Sequence, residues 1–298
     1  MEIATKGELA FRRFAFVAMA LISVGMILPV LLMIAASFTD EKSLILHGYR
    51  FIPDKLSLDA YIYMVNQYKI ILRAYGVSIF VTVAGTLISL IITTMLAYPM
   101  SRRDFKYRNV LAFIVFFTML FSGGIVPSYI LWTRVFGITD TYWALILPNL
   151  LMPAFHVLLV RNYYQSNIPH ELIESAQIDG AGEFRIFFRI MFPLSVPVIA
   201  TIALFMALVY WNDWINALYY ISRPKYFGIQ NLLIRMMNNI QFLRSSEGSA
   251  LIGTGAVELP STSIRMAMGV VGLLPILVMF PFTQKYLIKG VVIGAVKG

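Results

Sequence analysis

Long apolar runs alternate along this chain with short polar stretches. A helix that crosses a bilayer needs about 20 mostly apolar residues. Six runs approach or exceed that length: 14–36, with Pro29 inside; 74–100; 110–132, interrupted at Ser122-Gly123-Gly124; 142–159; 196–221; and 264–288. Gly and Pro inside such runs are compatible with spanning, because neighbouring helices satisfy the freed backbone groups. The pattern therefore predicts an all-α polytopic membrane protein with six transmembrane helices.

Composition agrees. The 298 residues are 59% hydrophobic and 13% charged, with mean hydropathy +0.77; a soluble domain is nearer half apolar and about a quarter charged. With no cysteine, disulfides and Cys-ligated metals are excluded. The first apolar run, about 23 residues, exceeds the roughly 7–15 of a signal peptide's apolar region, so it reads as a retained first span.

Six spans put both termini on one side. The loop at 101–109 carries Arg102, Arg103, Lys106 and Arg108, whereas the loop between the third and fourth runs has only Arg134. The excess of Lys and Arg marks the cytoplasmic side, so both termini are expected in the cytoplasm. The net charge of +9 then reports cytoplasmic loops rather than nucleic-acid binding. No loop is long enough for a conventional domain of about 50 residues or more, so residues 1–298 read as one membrane domain.

One polar segment stands out: "ESAQIDGAGEFRIFFRIMFPLSVP", residues 174–197. Upstream, Pro169 suits the first turn of a helix. Glu171 and Glu174 favour a helix N-terminus, and Leu172, Ile173 and Ala176 form a narrow apolar stripe. The helix is expected to stop at Asp179-Gly180, where glycine permits a left-handed helix end. A second helix carries Phe184, Phe187, Phe188 and Met191 on one face, turned to the chain's own spans, and Arg185 and Arg189 on another. Pro193 and Pro197 mark the entry to the fifth run. Two readings of this segment compete. One is an interfacial helix on lipid head groups. The other is a docking helix for a soluble partner, favoured by the acidic residues, which an anionic leaflet does not attract, and by the small residues Ser175, Ala176, Gly180, Ala181 and Gly182.

The segment resembles the EAA motif of ATP-binding-cassette importer permeases, roughly E-A-A-x-x-D-G-A followed by an apolar helix and paired prolines. The match runs through Glu174, Ala176, Asp179, Gly180, Ala181, Phe188, Ile190, Pro193 and Pro197, with Ser175 where the family usually has Ala. The whole chain is similar to carbohydrate-uptake permeases of the maltose type, oligosaccharide branch. That resemblance implies a non-catalytic permease subunit of a bacterial sugar importer in the inner membrane. Residues 166–197 would form its coupling segment, with Glu174, Ser175, Ala176, Asp179, Gly180 and Ala181 meeting the ATPase. It also implies a second permease chain, two ABC ATPase subunits that hold ATP and Mg, an extracellular solute-binding protein and a sugar substrate. This chain would bind no cofactor itself, and the partners include membrane lipid but no nucleic acid. The tail "GAVKG", with Gly294, Lys297 and Gly298, resembles the family tail that reaches the interface of the two ATPases.

"YWNDWINALYYI", residues 210–221, resembles the family's fifth-span signature. A charge such as Asp213 at membrane depth usually faces a cavity or a partner. Tyr210, Trp211, Asn212, Asp213, Asn216 and Tyr219 suit sugar faces and hydroxyls as lining of a substrate path. The competing reading is structural, with aromatic residues at the membrane boundary and Asp213 paired to a neighbour. His156 reads as hydrogen-bonded packing; Asn149, seven residues earlier, would share its face and is a further lining candidate. The loop at 222–263 exceeds a typical connection, which favours a binding role over a mere connector; apolar residues in its middle suit a short helix, and the resemblance implies that the loop faces the extracellular binding protein. No P-loop, H-E-x-x-H or nucleophile elbow is present, so the chain is not itself an ATPase or a hydrolase. The alternative function is an ion-coupled carrier or passive channel for a small polar solute, which would work without an ATPase.

Overall fold

A computed structural model describes residues 6–244 and 262–278 of the chain. The described residues are helical apart from loops and one isolated antiparallel bridge, Thr39–Leu56. They group into two compact units: residues up to Tyr68 with those from Leu233 to Leu274, and Lys69–Leu232 with the residues from Pro275 onward.

In the first unit, α1 (Lys6–Ser37) has a 28-residue apolar stretch, Ala10–Ser37. At 1.5 Å per residue this is about 42 Å, longer than the roughly 30 Å hydrocarbon core. Its apolar side chains are exposed almost all round, Phe11, Phe16 and Met26 each by 70% or more; lipid is the solvent that such a surface requires. The helix ends where Ser37 Oγ donates to Ile34 O at 2.6 Å and pairs with Tyr61 Oη at 2.8 Å, while Phe38 stacks on Tyr61. Two short helices follow, α2 (Glu41–His47) and α3 (Asp59–Asn66).

In the second unit, α4 (Tyr68–Ser101) is continuous through Pro99. One of its faces is lined with buried Ser78, Thr82, Thr86, Ser89 and Thr93. Small residues of this kind let helices approach closely in a membrane. The third apolar run breaks as the Ser-Gly-Gly triplet predicts: α5 (Arg108–Leu120) and α6 (Ile125–Ile130), which runs on as a π-helical turn to Val135, meet at 112°. Gly124 takes a left-handed φ of 83° at that corner.

Two expected spans are not continuous helices. The fourth run gives α7 (Trp143–Ile146), a turn, and then α8 (Ala154–Asn167). Pro148 and Pro153 lack the amide hydrogen that a helix interior uses, and Asn149 sits at φ 61°. Asn149 and His156 therefore do not share a helix face, contrary to the sequence expectation. The fifth run divides at Asp213 into α12 (Val196–Asn212) and α13 (Ile215–Tyr220). The segment preceding α12 comprises α9 (His170–Ile178), α10 (Glu183–Ile186), a π-helical turn (Phe187–Met191) and α11 (Phe192–Leu194). The axis turns by 79° at the buried Ser195, between α11 and α12.

The helix expected after residue 222 is α14 (Ile229–Arg244). The last helix described is α15 (Thr262–Val278), so the second half of the sixth apolar run lies outside the described residues. Among the described residues, Ala10–Ser37 and Tyr68–Ser101 are long and apolar enough to cross a bilayer unbroken.

Within the first unit, Glu41 caps the start of α15. It accepts from the backbone of Thr262 at 2.9 Å and of Ser263 at 2.9 Å, and from Ser263 Oγ at 3.1 Å. Burial alone would raise this carboxyl's pKa, but the hydrogen bonds from Ser263 and Thr262 outweigh it and hold the value below 4.5. A depressed folded pKa contributes stability above the unfolded value and loses it as the pH falls through the folded one. Glu41→Ala should lower stability by about 1–2 kcal/mol near neutral pH, measured by thermal melting in detergent. The gap between variant and parent should narrow as the pH drops below 4.5; a pH-independent gap contradicts the capping role.

Candidate functional site

The polar segment begins one position later than expected. Pro169 is the residue before the helix rather than its first, and α9 starts at His170. Its far end is a Schellman turn. Asp179 closes the helix, Gly180 takes φ 75°, Gly180 N donates to Gln177 O at 3.0 Å, and Ala181 N donates to Ala176 O at 2.9 Å. Ala176 and Ala181 pack on the apolar core and fix the turn from beneath. Glu174, Ser175, Asp179 and Gly180 remain exposed. So does Ile178, at 86%. Sequence reasoning did not single out Ile178, because an Ile beside an apolar stripe reads as part of it.

The second part departs from its expected face. Ile186, Phe187 and Met191 are buried, whereas Phe184 is 71% and Phe188 57% exposed. The π-helical turn widens the coil at Phe187–Met191. It moves the buried stripe off Phe184 and Phe188, so those two rings do not turn to the chain's own spans.

A polar network ties this segment to the end of α4. Tyr98 Oη donates to Glu183, and Gln177 Nε2 donates to Glu183 Oε1 at 3.2 Å. Arg102, only 4% exposed, reaches Glu183 at 3.5 Å and Asp104 at 2.9 Å. The hydrogen bond from Arg102 holds the Asp104 carboxyl below the usual carboxylate range. Tyr98 also packs its ring on Phe187, centroids 5.5 Å apart. Tyr98, Arg102, Asp104, Glu183 and Phe187 line, together with Phe184, a cavity of about 420 Å³. Tyr98 and Glu183 are 85 residues apart, and neither stands in a local pattern that signals the pairing.

The second cluster surrounds the two helix breaks. Tyr210 Oη donates to Ile146 O at 3.0 Å, and Asn216 Nδ2 donates to Pro148 O at 3.0 Å. Tyr210 thus satisfies a carbonyl freed by the break between α7 and α8, and Asn216 adds a second donor to one that Leu150 N already engages at 2.8 Å. Asp213 Oδ1 accepts from the backbone of Ile215 at 3.1 Å and Asn216 at 3.3 Å, capping α13. Asn212 Nδ2 donates to Leu208 O at 2.8 Å from an exposed position. Trp211 is buried against Tyr75, and Tyr219 is 39% exposed beside Tyr220. Asn149 lies in the turn before α8. Asp140, missed in the sequence, accepts from Ser222 N at 2.7 Å and Arg223 N at 2.8 Å and so closes the end of α13. His156 is buried, with Nδ1 3.1 Å from Met206 Sδ and its ring stacked on Phe205. Gly294, Lys297 and Gly298 lie outside the described residues.

Residues 85–293 match the family described as binding-protein-dependent transport system inner membrane component. Protein LplC of Bacillus subtilis (strain 168) is 43% identical over 272 residues, 91% of this chain and 90% of its own length. The polygalacturonan/rhamnogalacturonan transport system permease protein YtcP of the same organism is 42% identical, covering 91% and 93%. The fold matches a crystal structure of a bacterial ABC transporter involved in the import of the acidic polysaccharide alginate. That match has a TM-score of 0.79 at 25% identity and covers 96% of this chain and 99% of the other.

The Tyr210 ring reaches its acceptor by crossing α4 at Gly85, where a Cβ would lie 2.6 Å from the ring. Gly85→Ala should therefore destabilise the protein by about 1–3 kcal/mol through overpacking. Gly76→Ala on the same helix, with nothing within 4 Å of its Cβ, should be neutral or stabilise by up to about 1 kcal/mol. Melting temperatures in detergent check the pair; equal shifts contradict the close crossing.

Proposed function

Because the chain belongs to the binding-protein-dependent transport system inner membrane components, we propose that its segment from α9 to α11 is where an ATPase subunit delivers motion. The protein is the permease component of an ABC sugar or oligosaccharide import system and is not itself catalytic. A system of this kind includes ATPase subunits and a binding protein. Membership sets aside the ion-coupled carrier and the passive channel.

In our reading two ATPase subunits hold ATP and Mg and dock on this chain and on a second permease chain. The α9 tip carries the reading. A rigid Schellman end presents exposed Ile178 between acidic Glu174 and Asp179, an apolar anchor with a charged rim, as protein interfaces favour. The basic loop at 101–109 lies on the same side, and its excess of Lys and Arg supports our reading that both termini are cytoplasmic. Closure of the ATPases moves α9 as a rigid body. The Glu183–Tyr98–Arg102 network passes that displacement to the end of α4, and Phe187 with Met191 passes it to the core. The pathway between the two permease chains then alternates its access.

For the substrate we propose an oligosaccharide of the kind released from polysaccharides, the class to which the named substrates of YtcP and of the alginate importer point. Asn149, Asn212, Asp213 and Tyr219 are the lining candidates that stay at least partly exposed. Tyr210 and Asn216 act on the path indirectly, by holding the two breaks in place.

Gly180→Asp forces a non-glycine residue into the left-handed region, about 1–2 kcal/mol unfavourable, and adds charge at the docking surface. Ile178→Glu removes the anchor without backbone strain. Both should leave the permease inserted and lower ATPase co-purification and uptake by about tenfold or more; normal recovery and uptake in both variants would sink the docking assignment. Glu183→Gln should keep the complex assembled but lower uptake relative to ATP hydrolysis. An unchanged ratio of sugar moved to ATP hydrolysed removes this network from the coupling path.

A further inference from the structure

A second cavity, of about 530 Å³, lies beside the coupling segment and has no role in the reading so far. Its walls include Arg102, Arg103, Arg108, Arg161 and His170, and Glu171 is the one carboxylate among the lining residues. Four guanidinium groups around one acid leave the cavity strongly positive.

The cations are only partly neutralised. Arg102 Nε and Nη2 are held by Asp104, but its buried Nη1 has no partner in the described structure. His170 Nδ1 pairs with Glu174 at 2.9 Å, and its buried Nε2 likewise has none. Arg161 spends its Nε on Met100 O at 3.1 Å. Among the described residues no side-chain hydrogen bond or ion pair engages Arg103 or Arg108. A buried donor left unmade is unfavourable, so orphan N–H groups in a positive cavity point to an anion that completes them. The first residues of α5 and of α9 also line it, adding the positive ends of two helices.

Position narrows the anion. Ser101 closes α4 and Arg108 opens α5, so the cavity sits where two apolar helices leave the hydrocarbon. Lipid phosphates lie at that depth, and basic pockets at the ends of membrane helices on the cytoplasmic side hold anionic head groups.

We propose that this cavity binds a phosphate-ester anion, supplied by the head group of an anionic phospholipid of the cytoplasmic leaflet. The leaflet follows from the orientation proposed above. The bound lipid would neutralise the Arg cluster directly beneath α9 and so set how firmly the coupling segment rests on the membrane.

The test uses the intact complex, ATPases and second permease included, stripped of lipid in detergent. It is titrated with phosphatidylglycerol, phosphatidylcholine or inorganic phosphate, and bound lipid is counted by native mass spectrometry. Phosphatidylglycerol should be retained about tenfold better than phosphatidylcholine. Arg103→Gln/Arg108→Gln should lose that preference, while Arg103→Lys/Arg108→Lys keeps most of it. Should the Gln pair not assemble, Arg103→Gln alone, at an exposed position, should show a smaller loss in the same direction. Equal retention of phosphatidylglycerol by the parent and the Gln variants overturns the proposal. Displacement by inorganic phosphate with no preference between the two lipids reassigns the site to a soluble phosphate and overturns the lipid source. Loss of ATPase subunits from the Gln pair at an unchanged lipid count gives the cavity to an ATPase carboxylate and overturns the proposal outright. The lipid count needs neither ATP turnover nor uptake, so a failure of the coupling reading registers separately.

Discussion

Backbone amides and carbonyls that find no partner inside a hydrocarbon layer are unfavourable by several kcal/mol each, and the architecture of this chain follows from that constraint. Where the backbone is unbroken, as along α1 and α4, the helix satisfies itself, and its side chains are free to be apolar all round, as in α1, or to pack a Ser/Thr face closely, as in α4. Where it breaks, a specific side chain takes over. Tyr210 and Asn216 donate to the carbonyls of Ile146 and Pro148, Asp213 accepts the first amides of α13, and Asp140 accepts those that follow it. The polar residues of "YWNDWINALYY" therefore answer a structural demand before they answer a substrate. They hold two interrupted helices against each other, and irregular backbone at membrane depth is tolerated where it is buried in protein or borders a cavity.

The same accounting explains the coupling segment. An α-helix leaves its last carbonyls unpaired, and α9 disposes of two of them by the Ala176–Ala181 and Gln177–Gly180 bonds. The pattern A-x-x-D-G-A is thus a recipe for a self-contained helix end: alanines small enough to lie on the core, an Asp at the close, and a Gly where the backbone turns left-handed. A helix that needs no further partner for its backbone can offer its whole outer surface to another protein and move without fraying. Ala176, Asp179, Gly180 and Ala181 shape the tip, and in the proposed docking the contact itself falls to Ile178 and the acidic side chains around it.

This division also marks what the sequence made legible. Run lengths located α1 and α4, because a continuous apolar helix of bilayer length is a statement about composition alone. The Ser122-Gly123-Gly124 corner and the Asp179-Gly180 stop were readable because glycine is there for its backbone. The interruption at Pro148–Pro153 was hidden by the very tolerance that membranes extend to Pro and Gly: an apolar run with a proline in it is equally consistent with a kinked span and a broken one. The one at Asp213 has no Pro or Gly to mark it. The exposed Phe184 and Phe188 were misplaced because a π-helical turn leaves no periodic signature. The Tyr98–Glu183 pairing joins residues far apart in the chain, and nothing local to either residue encodes it.

Arg102 connects these threads. Its guanidinium is buried, and a buried charge is tolerated only when its hydrogen bonds are made and its charge is matched. Asp104 and Glu183 supply part of the match, one buried N–H of Arg102 stays without a partner, and the residue also lines the Arg-rich cavity. Any displacement of α10 that pulls Glu183 away from Tyr98 therefore removes one of the two carboxylates that neutralise Arg102, and in the proposed scheme the deficit falls on the anion in the cavity. In that proposed scheme coupling and anion occupancy are linked through one side chain: an anion that strengthens its hold on Arg102 weakens the claim of Glu183, and a Glu183 drawn tightly onto Tyr98 and Arg102 weakens the anion's. Linkage of this kind is reciprocal by necessity, so a ligand that never touches sugar or nucleotide would still shift the balance between the resting and displaced positions of the coupling segment.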